Sequence, residues 1–182
     1  MKSVQILIFF FVALVSAVFM IANSHARNDH VFALPEFTQS DQSQWINSDP
    51  LTLQNISGKV VLVDIWTYGC WNCYRSIPWI RSLEERYADD AFAVIGIHTP
   101  EFEHEYVREN IERKVAEFKV THPVMMDNDF AYWKALGNRY WPTFYVADQE
   151  GVVRGVFIGE THEGGRRARE VEGLIEQLFN EK

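Results

Sequence analysis

Two cysteines, separated by a dipeptide, are the residues of this sequence best suited to chemistry. Cys70 and Cys73 are the only cysteines in the 182-residue chain, and Trp71-Asn72 lies between them. If the pair begins a helix, the second sulfur lies about one turn further along the same face, so the two thiols can form a disulfide. The unpaired N–H groups and the dipole of a helix N-terminus favour a thiolate at the first cysteine. The pattern therefore predicts thiol-disulfide exchange, with Cys70 as nucleophile and Cys73 as resolving thiol.

The pair lies between a predicted strand and a predicted helix. The segment Lys59 to Trp66 is almost continuously apolar and β-branched, which is typical of a strand buried on both faces of a mainly parallel sheet. Four apolar residues then recur at roughly helical spacing and predict a helix from about residue 71 to residue 87; they are Ile77, Ile80, Leu83 and Tyr87. A strand, the two cysteines and a helix therefore follow one another directly.

The rest of the chain predicts a mixed α/β sandwich. Strands are expected at residues 91–97, 123–126, 143–146 and 152–158, the last two as an antiparallel hairpin, and helices at about 107–118, 130–136 and 166–179. We expect Asp129 to be the N-cap of the 130–136 helix and Gly137 to end it. The segment Arg27 to Ser57 is predicted to contain one or two short edge strands joined by loops.

The N-terminus has the pattern of a targeting segment. An apolar run from Ile6 to Ala22 follows Lys2, and Ser24-His25-Ala26 provides small residues at the two positions that a signal peptidase reads. We therefore expect residues 1–26 to be a signal peptide or an uncleaved N-terminal membrane anchor, and residues 27–182 to form one extracytoplasmic domain.

Composition argues against two classes of protein. After residue 26 there are 16 basic and 25 acidic residues, so nucleic acid is not an expected partner. Closing the short loop between the two cysteines would remove little entropy from the unfolded chain, so a disulfide scaffold is not expected either.

The segment Val60 to Pro78 resembles the active-site region of thioredoxin-like proteins. Asp64, six residues before Cys70, corresponds to the buried acid of thioredoxins, and the resemblance implies that it relays the proton of the resolving cysteine. Pro78, five residues after Cys73, resembles the proline that kinks their first helix.

Two further features extend the resemblance. Trp66 matches the tryptophan under the site, and Trp141-Pro142-Thr143 matches the stretch that carries a cis-proline facing the cysteines. The resemblance implies that Pro142 positions the substrate strand.

The similarity covers most of residues 31–179 and is closest to the TlpA-like branch, especially the domains attached to DipZ-type membrane electron carriers. The shared segments are Asn47-Ser48-Asp49-Pro50-Leu51, His98-Thr99-Pro100-Glu101-Phe102 and Asp127-Asn128-Asp129. This branch implies a thioredoxin fold, with a central mixed β-sheet flanked by helices, an N-terminal extension and a TlpA-like central insertion. It also implies an exported, often membrane-attached protein-disulfide reductase that receives electrons from a membrane donor of the DsbD/CcdA type. No cofactor or resident metal is implied.

The dipeptide between the cysteines departs from the family. Trp71-Asn72 is neither the Gly-Pro of thioredoxin nor the Glu-Pro of some members that act in cytochrome c biogenesis. Because this dipeptide tunes the reduction potential, a disulfide-donating oxidant remains the alternative to a reductase. The substrate, whether an apocytochrome, a metallochaperone or a damaged protein, also stays open.

Other functions fit the cysteines less well. A C-x-x-C pair also occurs in structural disulfides and metal sites, and two thiolates with His98, His104 or His122 would suit Cu(I). Thr67-x-x-Cys70 has the spacing of the peroxiredoxin loop, but Val63 stands where that loop has proline.

Aromatic and acidic residues near the motif each allow two interpretations. Trp71, Trp141 and Tyr68, together with Tyr74, form either an apolar rim for substrate docking or part of the core. Asp64 is either buried or a strand-end cap. The cluster of Glu101, Glu103 and Glu105 around His104 is predicted to be a solvated loop and helix start.

Overall fold

The computed structural model of the chain describes residues 31–89 and 91–181. The predicted leader, residues 1–26, and the first residues of the predicted domain lie outside this part. Within it, every helix is either too short or too polar to cross a membrane.

Seven strands form one mixed sheet around a fully buried central strand. They are β1 (Phe32–Ala33), β2 (Trp45–Ile46), β3 (Val60–Trp66), β4 (Phe92–His98), β5 (Val124–Met126), β6 (Thr143–Ala147) and β7 (Val152–Ile158), in the spatial order β1-β7-β6-β3-β4-β5-β2. The strand β3 pairs parallel with β4 and antiparallel with β6. All of its residues are buried, as its continuous apolar run predicts.

Helices cover both faces of the sheet. They are α1 (Leu53–Ile56), α2 (Trp71–Arg86), α3 (Arg108–Phe118), α4 (Ala131–Ala135) and α5 (Arg166–Asn180), with short 3-10 segments at Gln42–Gln44 and Glu103–Tyr106. Helices α2, α3 and α5 pack on one face, whereas α1, α4 and the N-terminal segment pack on the other. The expected sheet flanked by helices is confirmed, and α3, β5 and α4 lie between β4 and β6 in the chain.

The N-terminal extension supplies the outermost strand at each edge of the sheet. As predicted, it contains two short strands, but they lie at opposite ends: β1 pairs with β7 and β2 pairs with β5, both antiparallel. Trp45 of β2 is completely buried, and its indole N–H donates to the carbonyl of Gln39. The short helix α1 was not predicted, because four residues are too few to show helical periodicity.

The start of α4 corrects one prediction. Asp129 accepts a hydrogen bond from the backbone N–H of Ala131, but it is not the N-cap residue. Asp127, at the end of β5, accepts from the backbone N–H groups of Tyr132 and Trp133, both at 2.9 Å. Asp127 therefore accepts hydrogen bonds from two of the backbone N–H groups at the start of this helix, and Asp129 accepts one. The main acceptor lies two residues earlier than predicted, at the buried end of a strand.

Candidate active site

The two cysteines form a disulfide at the first turn of α2. Cys70 is the N-cap residue, and the Cα atoms of Cys70 and Cys73 are 5.3 Å apart. Cys70 is half-buried, whereas Cys73 is 2 % exposed and packs with Trp66 and Ile77. The backbone N–H of Cys73 points at Sγ of Cys70, at 3.1 Å. The first sulfur is thus accessible and faces a helix N–H donor, and the second is enclosed.

A histidine holds the loop that connects β3 to α2. His98, at the end of β4, lies opposite Trp66 in the sheet register. Its Nε2 is 3.2 Å from Oγ1 of Thr67 and accepts from the backbone N–H of Tyr68 at 3.4 Å, and its ring stacks on that of Tyr68. Burial lowers the pKa of His98 to about 4, so the imidazole is neutral at pH 7 and can accept these hydrogen bonds.

A glutamate also holds this loop, and it corrects the prediction of a solvated acidic segment. Glu105 is 0 % exposed. Its Oε1 accepts from the backbone N–H of Gly69 at 2.7 Å, and its Oε2 accepts from those of Glu101 and Phe102 at 2.6 and 2.9 Å. The prediction was wrong because three backbone donors replace water around this carboxylate. Glu103 is exposed, as predicted.

The only sequence signal for Glu105 was local. It lies three residues after Phe102, the position from which a glutamate bonds back to the start of a helix. That signal accounts for the bonds within the segment 101–105. It does not reveal the bond to Gly69, which is 36 residues away.

Asp64 is buried in the centre of the sheet and is not a surface cap. It is 3 % exposed, and its Oδ1 has no hydrogen-bond partner in the described part of the chain. Burial raises the pKa of Asp64 to about 8. Residues two apart in a strand point to the same face, so Asp64 faces the same side of the sheet as Trp66, which packs on Cys73.

The segment before β6 contacts the cluster around the cysteines. The Trp141–Pro142 peptide bond is cis, as the resemblance implies, and the carbonyl of Pro142 accepts from Gly159 at 2.8 Å. Trp141 packs at the border of the cluster that contains Cys73, and its indole N–H donates to the carbonyl of Thr99. This bond ties the segment to the end of β4.

A serine that sequence analysis did not single out anchors α2. Ser76 is completely buried; its hydroxyl donates to the carbonyl of Asn72 at 2.8 Å and accepts from the backbone N–H of Thr161 at 2.9 Å. Pro78, which has no N–H to donate, lies inside the same helix. Ser76 therefore links the first turns of α2 to the segment that follows β7.

The predicted aromatic rim divides into two groups. Trp71 is 65 % exposed and Tyr74 is 43 % exposed, with their ring centroids 5.4 Å apart. Tyr68 and Trp141 are half-buried and hydrogen-bonded, Tyr68 through its hydroxyl to the carbonyl of His104. Phe102 and Tyr140, which were not part of the prediction, are also exposed. Trp71 and Tyr74 are thus accessible to a partner, although the ring of Tyr74 also packs on that of Phe118.

The three histidines considered as metal ligands have separate contacts. His98 contacts Thr67, Nδ1 of His122 is 3.2 Å from a carboxylate oxygen of Glu84, and the ring of His104 lies against Phe102. In residues 31–89 and 91–181, no group of three or more His, Cys, Asp or Glu side chains is arranged to hold a metal ion.

Comparison with known proteins places the chain in a family. The Redoxin family model matches residues 33–175. Protein DipZ of Mycobacterium tuberculosis is 39 % identical over 140 residues, which are 75 % of this chain and 19 % of DipZ. The thiol-disulfide oxidoreductase YkuV of Bacillus subtilis is 30 % identical over 121 residues, which are 66 % of this chain and 80 % of YkuV.

The fold is also found in solved structures. A thiol-disulfide isomerase from Corynebacterium glutamicum superposes with a TM-score of 0.69 at 22 % identity, covering 82 % of this chain and 98 % of that protein. The likeness confirms the thioredoxin-like fold. The chain belongs to the Redoxin family, with a thioredoxin-like domain of the TlpA and DipZ type. It spans about a fifth of the length of the DipZ proteins.

The pKa of Asp64 predicts a pH-dependent stability. This carboxyl keeps its proton up to about pH 8 when folded, but ionises near pH 3.8 when unfolded. The folded state therefore binds more protons in this window, and the free energy of unfolding falls as pH rises, by up to about 1.4 kcal/mol per pH unit. His98 opposes this trend below pH 6.5, because its folded pKa is lowered. We expect the free energy of unfolding of the oxidised protein to fall as the pH is raised from 6.5 to 8. In Asp64→Asn the fall over the same range should be much smaller.

Urea unfolding of the oxidised protein at a series of pH values measures this effect. The exposed Asp49→Asn is the matched control and should follow the wild type. If Asp64→Asn and wild type had the same pH dependence, the carboxyl of Asp64 would not carry the shifted pKa.

Proposed function

We propose that this chain is an extracytoplasmic thiol-disulfide oxidoreductase that reduces disulfides in other proteins. The observation that carries the proposal is the disulfide at the start of α2, whose first sulfur is accessible and whose second is enclosed. Membership of the Redoxin family and the similarity to YkuV, a thiol-disulfide oxidoreductase by name, support the same activity.

The proposed reaction moves two electrons from the cysteine pair to a substrate disulfide. The Cys70 thiolate attacks one substrate sulfur, a Cys70-substrate disulfide forms, and the other substrate sulfur leaves as a thiolate. Cys73 then attacks Sγ of Cys70 and releases the second substrate sulfur. The two thiol protons of the pair end on the substrate, which becomes a dithiol, while Cys70 and Cys73 become a disulfide.

Asp64 is the proposed proton relay for the second step. Its pKa of about 8 lies in the range in which thiols ionise, so its carboxyl can exchange a proton at the pH at which Cys73 must lose one. Its position on the Cys73 side of the sheet supports this role.

Substrate docking is proposed for the surface around Cys70. Trp71 offers a large exposed apolar surface directly beside the nucleophile, and Tyr74 extends it. Tyr68 and Trp141 are held in place and would form the walls of the docking site. Pro142, immediately before β6, is the proposed positioner of the substrate strand. An unfolded or partly folded polypeptide is the substrate that such a surface suits.

Location and electron supply are proposed from the sequence. The apolar leader at residues 1–26 supports export, with the domain either released or tethered to the inner membrane. The resemblance to the TlpA-like branch supports recharging by a membrane electron donor of the DsbD/CcdA type. An apocytochrome, in cytochrome c biogenesis, is one substrate consistent with such a chain of transfers.

The reduction potential of the pair decides the direction of transfer. We expect a value near or below about −230 mV, towards that of thioredoxin, when the protein is equilibrated in glutathione or dithiothreitol buffers and its thiols are trapped for mass spectrometry. A value near about −120 mV would make the protein a disulfide donor instead. If no disulfide formed at any ratio of oxidised to reduced buffer thiol, Cu(I) binding would become the better hypothesis for the function of the pair.

Cysteine substitutions separate the two steps. Cys73→Ser should accumulate mixed disulfides with natural partners, because the resolving thiol is missing, and Cys70→Ser should abolish exchange. Non-reducing electrophoresis followed by mass spectrometry detects the trapped species. Full activity in Cys70→Ser would refute the mechanism.

The exposed tryptophan should matter only for large substrates. Replacing Trp71 by Ala removes apolar contact worth about 1 kcal/mol, so kcat/KM towards a protein disulfide should fall about fivefold. The rate with a small aromatic disulfide should change little. Val31→Ala, which truncates an exposed side chain next to the edge strand β1, is the control. An equal loss with both substrates would place Trp71 in the chemistry instead of in docking.

A further inference from the structure

The carboxylate of Glu105 contacts the backbone of the turn that ends at the nucleophilic cysteine. Its Oε1 accepts from the N–H of Gly69, the residue that precedes Cys70 in the chain. A side chain at residue 69 would clash with this oxygen, because an added Cβ would meet Oε1 of Glu105 well inside van der Waals contact. The position of the Glu105 carboxylate therefore requires glycine at residue 69. Their hydrogen bond holds the turn that precedes Cys70 in place.

The carboxylate is built to stay ionised. Burial acts to raise the pKa of Glu105, but the hydrogen bonds that it accepts outweigh burial and hold the pKa below its usual value. All three of its backbone partners are donors, so a protonated carboxyl or an amide would direct a hydrogen towards one of them. A negative charge is therefore fixed at the backbone of Gly69, the residue that precedes Cys70.

The neighbouring groups do not cancel this charge at neutral pH. His98 is neutral because burial lowers its pKa to about 4, and Asp64 is mostly protonated because burial raises its pKa to about 8. Arg113 and Glu105 act electrostatically on the same hydroxyl, that of Tyr68, in opposite senses. No ion pair to Glu105 occurs among the described residues, whose salt bridges lie elsewhere; Glu101, Glu103 and His104 on its own segment are exposed.

We propose that Glu105 is a positioning residue that makes the cysteine pair more reducing, because its fixed negative charge disfavours the Cys70 thiolate and so biases the pair towards the disulfide. The disulfide carries no charge, so the carboxylate destabilises only the reduced, ionised form. This effect opposes that of the N–H groups at the start of α2, which favour the thiolate. The inference rests on the proposed function, since it assigns the direction of electron transfer at the same site.

Glu105→Gln removes the charge and keeps the size of the side chain. We expect the pKa of the Cys70 thiol to fall by about one unit, as measured by the pH dependence of its alkylation by iodoacetamide. The equilibrium with glutathione should then shift towards the reduced pair by about twofold at pH 7 and close to tenfold at pH 9, where the thiol is ionised in both proteins. A growing shift with pH is the signature of a charge effect, which a purely structural change would not give.

Glu103→Gln is the matched control, because Glu103 lies on the same 3-10 segment but is exposed. It should leave the thiol pKa and the glutathione equilibrium unchanged. If it shifted them as much as Glu105→Gln, or if Glu105→Gln lost stability without moving the thiol pKa, the proposal would be overturned.

A measurement on the wild type covers the case in which Glu105→Gln does not fold. The proposal requires a Cys70 pKa near or above about 7.5, the upper end of the range for thiols at helix N-termini, and a value below about 6 would overturn it. Failure of the wild type to reduce disulfides would refute the proposed function alone, because the alkylation experiment still tests the effect of Glu105 on Cys70.

Discussion

The structure depends on the hydrogen bonds made by the backbone N–H groups of the three-residue turn between β3 and α2. The strand is fully buried and the helix begins at a cysteine that must stay accessible, so the chain leaves the core within Thr67, Tyr68 and Gly69. Buried N–H groups without partners are costly. Side chains from other elements supply the acceptors here: His98 for Tyr68, and Glu105 for Gly69. The position of Cys70 is therefore set by residues about 30 positions further along the chain.

The same requirement organises the neighbouring strand ends. Asp127, at the end of β5, accepts from the hydroxyl of Thr99 at the end of β4 as well as from the first turn of α4. That turn carries Trp133, whose ring centroid lies 4.2 Å from that of Trp141. Trp141 in turn donates to the carbonyl of Thr99. The strand ends next to the cysteines are thus joined by one connected set of polar and aromatic contacts, which favours a rigid site.

Much of the fold was predictable because its signals are local. Continuous apolar runs and helical periodicity predicted β3, α2 and α5 to within one or two residues, and the cysteine spacing predicted a pair able to form a disulfide. The polar supports were not predictable in the same way. Ser76 and Glu105 act on backbone groups 85 and 36 residues away, and their side chains look like ordinary surface residues in the sequence. Glu105 was hidden further because it alternates with Glu101 and Glu103, which are exposed.

Two buried acids near the site are in opposite states for one physical reason. Asp64 has an oxygen with no hydrogen-bond partner among the described residues, so burial dominates and the carboxyl holds its proton to about pH 8. Glu105 accepts three backbone hydrogen bonds, and these keep it ionised in spite of complete burial. The number of donors around each carboxyl therefore decides whether it supplies a proton or a fixed charge. A protonated carboxyl on the Cys73 side of the sheet and an ionised one at the turn before Cys70 are consistent with the proposed transfer of electrons from the pair to a substrate.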